Sequence, residues 1–393
     1  MDIQSPSSEE EAADVVRDAH DIARPLEIRG GGTRLGFGGI IDTDRVLSSR
    51  NLGGIVDYEP AEMVLIAKAG TPMSEIDSAL HLGKQRLIFE PVDHRRLFNV
   101  NGVPTIGGIV AGNVSGPRRF VAGACRDSLL GVRFINGLGE VVKTGGRVMK
   151  NVTGLDLVKP MAGSWGTLGF LTEVTFKVVP QVETEATLVI HSLNAAQAAR
   201  AMSAAMATST DVCGAAYVPA AAMRSLGGAD DDVTLLRLEG FESSVSIRAR
   251  KLKNTLSAFG EITTLDAETS HTVWIAVRDC LPFADETEEP IWRISMAPMD
   301  GHKFVDAFGE GDYFFDWQGG LIWLRLQGDP RAARVRKLVA ENGGGHATLV
   351  RASQRMRRDE PVFNPEAAPI AALSGRIRSK FDPKGIFNPG RMS

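Results

Sequence analysis

The sequence predicts an α+β fold in two unequal parts, and three observations carry that prediction. Residues 102–180 are studded with glycine and almost free of helical periodicity until they end in the alternating run Leu171-Thr172-Glu173-Val174-Thr175-Phe176-Lys177-Val178. Residues 188–351 instead alternate strand and helix patterns, and the order βαββαβ occurs there twice. Between them, Pro180 stops a strand and residues 181–185 are polar, which places the boundary there. The expected division is 1–180 (subdomains about 1–90 and 91–180), 186–351, and a closing segment 352–393.

A chain of 393 residues, 43% hydrophobic, can bury more than one core. Its net charge of −4 and the absence of a basic run argue against nucleic-acid binding. Cys125, Cys213 and Cys280 are far apart and form no C-x-x-C, so they offer neither a disulfide framework nor a zinc or iron–sulfur set; a reducing cytoplasm fits them best. The first eleven residues are polar and acidic, unlike a signal peptide, and no apolar run reaches membrane length. Membrane association, if any, then comes through partners.

Ser8-Glu9-Glu10-Glu11 reads as a capping box ahead of a helix with Ala12, Val15, Val16 and Ala19 on one face. The short strand 25–29 runs into Gly30-Gly31-Gly32-Thr33-Arg34-Leu35-Gly36. A dinucleotide-binding Rossmann turn would lead into a helix and a P-loop would end in Gly-Lys-Ser/Thr; neither follows here. What remains is a loop whose bare N–H groups suit a bulky anion. A strand over 63–69, Thr71-Pro72 as N-cap and first helical residue, and Gly83 as helix stop complete a small βαβ-type unit. Thr105-Ile106-Gly107-Gly108, Gly112-Asn113, Gly116-Pro117-Arg118-Arg119 and Gly163-Ser164-Trp165-Gly166 read as glycine-rich turns, and Asn136-Gly137-Leu138-Gly139 as a hairpin turn. In the second part, strands are expected at 188–191, 213–218, 233–238, 262–265, 292–296, 313–317, 321–326 and 346–351, with helices between, giving two ferredoxin-like halves or one wide antiparallel sheet.

Arg29-Gly30-Gly31-Gly32-Thr33, Thr105-Ile106-Gly107-Gly108, the 163–174 stretch and Asp382-Pro383-Lys384-Gly385-Ile386-Phe387-Asn388-Pro389-Gly390 together resemble the PCMH-type FAD-binding domain of the vanillyl-alcohol oxidase family. Gly116-Pro117-Arg118-Arg119, the 148–157 motif, Trp292-Arg293-Ile294-Ser295, Asn342-Gly343-Gly344-Gly345-His346 and Phe387-Asn388-Pro389-Gly390-Arg391-Met392 narrow the resemblance to the FAD-binding subunits of bacterial glycolate oxidase (glycolate dehydrogenase), across nearly the whole chain.

That resemblance implies a PCMH-type two-subdomain FAD-binding domain, a ferredoxin-like cap with an antiparallel sheet, and a tail that returns to the FAD domain. It implies FAD contacts at Gly30, Gly31, Gly32, Thr33, Gly36, Pro91, Thr105, Gly107, Gly108, Asn113, Gly116, Arg119, Gly123, Gly169, Leu171 and Asn388. The FAD should be non-covalent, because relatives with a covalent link carry histidine where this chain has Thr33; Cys125 is the next residue to examine. Arg119 is either a flavin or phosphate partner or a surface cation, and its place in the turn cluster favours the former.

The histidine-rich segment of substrate-oxidising relatives is missing, and the seven histidines form no close pair in sequence. His346, Arg293 and Arg325 remain as catalytic or carboxylate-binding candidates, each with a structural role as the alternative. The partners implied are a larger FAD-binding subunit and an iron–sulfur subunit, acting on a small 2-hydroxy acid such as glycolate, in the cytoplasm or at the inner membrane through those partners. A self-sufficient flavin oxidase and a non-catalytic scaffold are the competing functions.

Overall fold

The computed structural model describes residues 1–147, 156–224 and 230–392. The first helix, Glu9–Asp21, starts as the sequence predicts: the Ser8 hydroxyl accepts the Glu11 N–H. The Glu11 carboxylate accepts from Ser7 rather than Ser8, so only half of the capping box forms. Its buried face, Ala12, Ala13, Val16 and Ala19, lies beside a three-stranded parallel sheet in which Asp2–Gln4 and Glu27–Arg29 flank Arg45–Ser48.

A second, antiparallel sheet has the order Ile55–Glu59, Val64–Lys68, Phe170–Lys177, Leu129–Ile135, Val141–Gly145. Asn136 Oδ1 accepts the N–H groups of Leu138 and Glu140, which closes the expected hairpin. Two local expectations fail. Pro72 rather than Thr71 precedes the helix Met73–Leu82, because the Thr71 hydroxyl instead donates to the Lys68 and Gly54 carbonyls. Thr105-Ile106-Gly107-Gly108 is no turn but the start of the helix Ile106–Gly112, with Thr105 Oγ1 accepting the Gly108 N–H. Glycine is needed there for packing: a Cβ on Gly107 would lie 2.7 Å from the Ala69 carbonyl oxygen. The 148–157 motif lies outside the described residues apart from Asp156 and Leu157.

The second part satisfies both of its expected forms at once. Strands Thr184–His191, Gly214–Val218, Val233–Gly240 and Ile262–Leu265 make one ferredoxin-like half, and Ile291–Ser295, Asp312–Asp316, Leu321–Arg325 and His346–Arg351 make the other. The halves join through the pair Tyr217 and Phe315 into a single eight-stranded antiparallel sheet. One face buries Leu188, Leu236, Trp292 and Ile322 under the helices Ala195–Met206, Glu242–Leu256, Gly301–Phe308 and Ala332–Glu341. The opposite face packs Phe314, Trp323 and Val350 with Phe37 and Leu97 from the first part.

A buried ion cluster reinforces that junction. Glu90 accepts from Arg237 at 2.9 and 3.0 Å and from the Arg118 N–H at 2.7 Å, while Glu239 pairs with Arg118 and, at 2.8 Å, with Arg86. Each buried charge thus has opposite charges and hydrogen bonds around it, the condition under which burial is tolerated.

The closing segment returns to the first strand pair. Leu26 N–H donates to the Ile386 carbonyl (2.7 Å) and Asn388 N–H to the Leu26 carbonyl (3.0 Å). In the charged segment 351–360, Arg351 is buried and donates to the Leu97 and Phe283 carbonyls and Arg357 donates to the Gly38 carbonyl, while Gln354, Arg355, Arg358 and Asp359 form the exposed face. The helix that follows was also not expected. Ala368–Phe381 has no buried residue and leaves Ile370, Leu373 and Ile377 exposed.

Candidate functional site

Two clefts meet at Trp165, which lines both. The first, of about 780 Å³, runs along the loop that follows strand Glu27–Arg29. The backbone N–H groups of residues 31–36 donate to no other described group. The loop holds its course because Gly31 lets the Val103 carbonyl approach: a Cβ there would stand 1.5 Å from that oxygen. Gly32 follows at φ +79°, a conformation that glycine adopts at no steric cost. The outcome is a concave run of free donors, the arrangement that binds phosphate oxygens.

The far wall of this cleft comes from three separated stretches. The helix start supplies Thr105, Gly107 and Gly108, the 163–171 loop supplies Trp165, Gly166, Gly169 and Leu171, and the closing segment supplies Asn388 and Arg391. Asn388 fastens them together: its Oδ1 accepts the Ile28 N–H and its Nδ2 donates to the Trp165 carbonyl, each at 2.7 Å. Gly30, Gly31, Gly32, Thr33, Thr105, Gly107, Gly108, Gly169, Leu171 and Asn388 all line this cleft.

Asn113, Gly116 and Arg119 line the second cavity, of about 1000 Å³, between the first part and the eight-stranded sheet. Gly36, Pro91 and Gly123 lie away from both. Gly36 packs on Phe98, Pro91 faces a separate groove beside Asp77 and Arg278, and Gly123 turns at φ +78° against Asp127. Of the three catalytic candidates, Arg293 lines the second cavity. Arg325 is held by Asp285 and Asp312 at 2.8 and 2.6 Å, and His346 is exposed at the start of strand His346–Arg351.

The second cavity also gathers residues that sequence spacing did not suggest. His94 is buried there, and its Nδ1 accepts from Arg34 Nε at 3.0 Å. Burial, with Arg34 and Arg293 nearby, pushes its pKa well below the usual histidine value. Asp316 is buried with one oxygen accepting the Trp317 N–H at 2.7 Å, and burial pushes its carboxyl up to about 7. The Trp317 indole N–H donates to the Gly116 carbonyl at 3.0 Å. The guanidiniums of Arg119 and Arg293 lie 4.9 and 4.8 Å from its ring centroid.

The amino-terminal 3–145 match the family described as "FAD binding domain". Across 94% of this chain and 92% of the relative, the sequence is 34% identical to the Escherichia coli K12 protein named glycolate oxidase subunit GlcE. The chain belongs to the GlcE family of FAD-binding oxidoreductases. This GlcE-family chain is also 28% identical to the Bacillus subtilis glycolate oxidase subunit GlcD over 55% of its own length, but spans 43% of that longer relative. Among solved structures, 4-ethylphenol oxidase from Gulosibacter chungangensis superposes with a TM-score of 0.71 at 16% identity, covering 100% of this chain and 88% of that one. p-Cresol methylhydroxylase gives 0.69 at 13%, covering 99% and 88%. These two show a shared fold.

The residues present fit FAD. A diphosphate asks for several donors and little steric bulk, which the free N–H groups of residues 31–35 and the glycines around them provide. The adjoining cavity has aromatic walls, Trp165, Phe37 and Trp323, suited to a flat ring. Cys125 is buried, and burial pushes its thiol far up, so it presents no thiolate for attachment. Among the described residues no group of His, Cys, Asp and Glu could hold a metal ion, and no helix is long and apolar enough to cross a membrane.

Proposed function

We propose that this chain is the FAD-binding subunit of a hetero-oligomer that oxidises glycolate, or a closely similar 2-hydroxy acid, to the 2-oxo acid. The observation that carries the reading is the donor-lined glycine loop, in a chain that follows a named glycolate oxidase subunit over 94% of its length. Residues 1–180 form the FAD domain, residues 186–351 the cap, and 352–393 a segment that returns to the FAD domain. Bound FAD supplies the two-electron acceptor.

The chain's own residues do the rest. The 31–36 loop holds the diphosphate, Thr105, Gly107 and Gly108 shape the floor, and Asn388 keeps the 163–171 wall in place. The cofactor is held non-covalently, since Thr33 offers no histidyl link and Cys125 is enclosed. No described group can hold an iron–sulfur cluster, so electrons leave through partners. Those partners are a larger FAD-binding subunit and an iron–sulfur subunit, and association with the inner membrane runs through them.

Acid precipitation of the purified chain tests the cofactor assignment: yellow colour passes into the supernatant, and colour left in the pellet overturns non-covalent binding. Glycolate-dependent dye reduction tests the complex. It should be weak for the isolated chain and strong when the two other subunits are co-expressed; full turnover by the chain alone would favour the self-sufficient oxidase.

A further inference from the structure

We infer that this subunit carries its own carboxylate site: Arg119 and Arg293, both over the ring of Trp317, bind the carboxylate of a small 2-hydroxy acid, while Asp316 takes its hydroxyl. The inference deepens the proposed function, because it places substrate on this chain rather than on a sister subunit alone.

The two arginines come from opposite sides of the junction. Arg119 opens the short helix Arg119–Ala122, and Arg293 projects from strand Ile291–Ser295. Neither side chain makes a hydrogen bond or ion pair with any described residue; both guanidiniums lie over the Trp317 ring, with Asp127 in the surroundings of Arg119 and Asp316 in those of Arg293. The other arginines nearby have partners, Arg34 by donating to His94 Nδ1 and to the Val92 carbonyl, each at 3.0 Å. Arg278 pairs with Asp279 at 2.7 Å, Arg237 with Glu90 at 2.9 Å, and Arg325 with Asp285 at 2.8 Å.

Two like charges held around one indole in a desolvated cavity repel each other and keep their planar donor forks empty. Burial, joined by Arg119, holds the Arg293 guanidinium down to about 10, which is the electrostatic trace of that crowding. A carboxylate relieves both costs, since its two oxygens match a guanidinium fork bidentately.

Asp316 adds the second half of the recognition. One of its oxygens is fixed by the Trp317 N–H, and the other has no hydrogen-bond partner among the described residues although Asp316 lines the cavity. The unpaired guanidiniums favour an anion in the cavity, and Asp316, raised to about 7 by burial, opposes it less than an ordinary carboxylate would. A 2-hydroxy acid presents the matching set: a carboxylate for the arginines and an O–H donor for the free oxygen. His94 supplies one more N–H, because Arg34 occupies its Nδ1 and leaves the ring proton on Nε2.

The test titrates the FAD-loaded full-length chain with 2-hydroxyisobutyrate, a monoanionic 2-hydroxy acid whose tertiary carbon has no hydrogen to lose, and follows tryptophan fluorescence. Saturable quenching is expected, and Trp317→Phe should reduce its amplitude. Arg293→Met and Arg119→Met should each weaken 2-hydroxyisobutyrate about 10- to 100-fold, the effect of losing a charged hydrogen bond, at unchanged FAD content, with partial recovery in Arg293→Lys. Arg325→Met, whose guanidinium is paired elsewhere, should bind as the parent does. Wild-type affinity in Arg293→Met overturns the inference, and so does inorganic phosphate binding as tightly as 2-hydroxyisobutyrate. Loss of FAD from the arginine variants with 2-hydroxyisobutyrate affinity intact also overturns it, assigning the pair to the cofactor. A parent chain that binds 2-hydroxyisobutyrate but never FAD sinks the proposed function while sustaining the carboxylate site.

Discussion

The Arg34 Nε–H donates to His94 Nδ1 across 3.0 Å, and this bond ties the glycine-loop cleft to the cavity beneath the sheet. A guanidinium only donates, so Nδ1 is the acceptor and the imidazole proton resides on Nε2. Burial and the nearby Arg34 and Arg293 keep the ring neutral, which makes His94 a fixed donor and not a base.

Nitrogen NMR on histidine-labelled protein should therefore find one neutral tautomer for His94 from about pH 8 to about pH 5, across the range where an ordinary histidine titrates. In Arg34→Met the two tautomers should mix. A protonated His94 in the parent near pH 6 would contradict the assignment.

Gly31 and Gly108 should fail differently. At Gly31 any side chain meets the Val103 carbonyl, so Gly31→Ala damages the loop itself and lowers both Tm and FAD content. Gly108 is helical, and its Cβ would meet Thr105 Oγ1 at 3.2 Å and Arg34 Nη1 at 3.7 Å, on the cleft floor. Gly108→Leu should keep Tm within a few degrees, because helix propensity rises by about 1 kcal/mol, yet lose FAD on gel filtration. Equal FAD retention in both variants would remove the cleft from consideration.

Glu239 links Arg118 and Arg86 across the junction, and those arginines hold its carboxyl down to about 2 against the opposing effect of burial. A depressed folded-state pKa contributes stability above the unfolded value near 4.5 and loses it as pH falls through about 2. Glu239→Gln should cost about 3–5 kcal/mol near neutral pH, the usual effect of breaking a buried ion pair, and little at the acid end. Parallel denaturation curves for parent and variant at every pH would refute this.

Asp316 has the opposite sign. Its carboxyl rises from 3.8 to about 7, chiefly through burial, with Glu90 adding to the rise while Arg293 and Arg237 oppose it. The folded protein then holds a proton that the unfolded chain releases, so this residue's destabilising effect grows between pH 3.8 and about 7 and levels off above. Asp316→Asn should raise Tm at mildly alkaline pH and leave it unchanged in acid. The same substitution should weaken 2-hydroxyisobutyrate less than Arg293→Met does.

Glycine spacing made the loop at residues 30–36 legible, because few other residues allow backbone to approach that closely. The eight strands were legible from their apolar runs. The helix Ile106–Gly112 was not, since three of its seven residues are glycines and argue against helix. The second cavity was invisible for another reason: its contacts join residues far apart, as with Gly116 and Trp317, separated by 201 positions. Nothing in the spacing of His94, Asp316 or Trp317 marks them. The helix Ala368–Phe381 could have been read from Pro369 in its first turn and Ile370, Leu373 and Ile377 at helical spacing.

Asn388 holds Ile28 and Trp165 at once, bridging 360 and 223 positions of chain. During synthesis the glycine loop leaves the ribosome long before the residue that fixes its neighbouring wall. Through most of translation the nascent chain therefore has the donors of the cleft without the residue that fastens its wall.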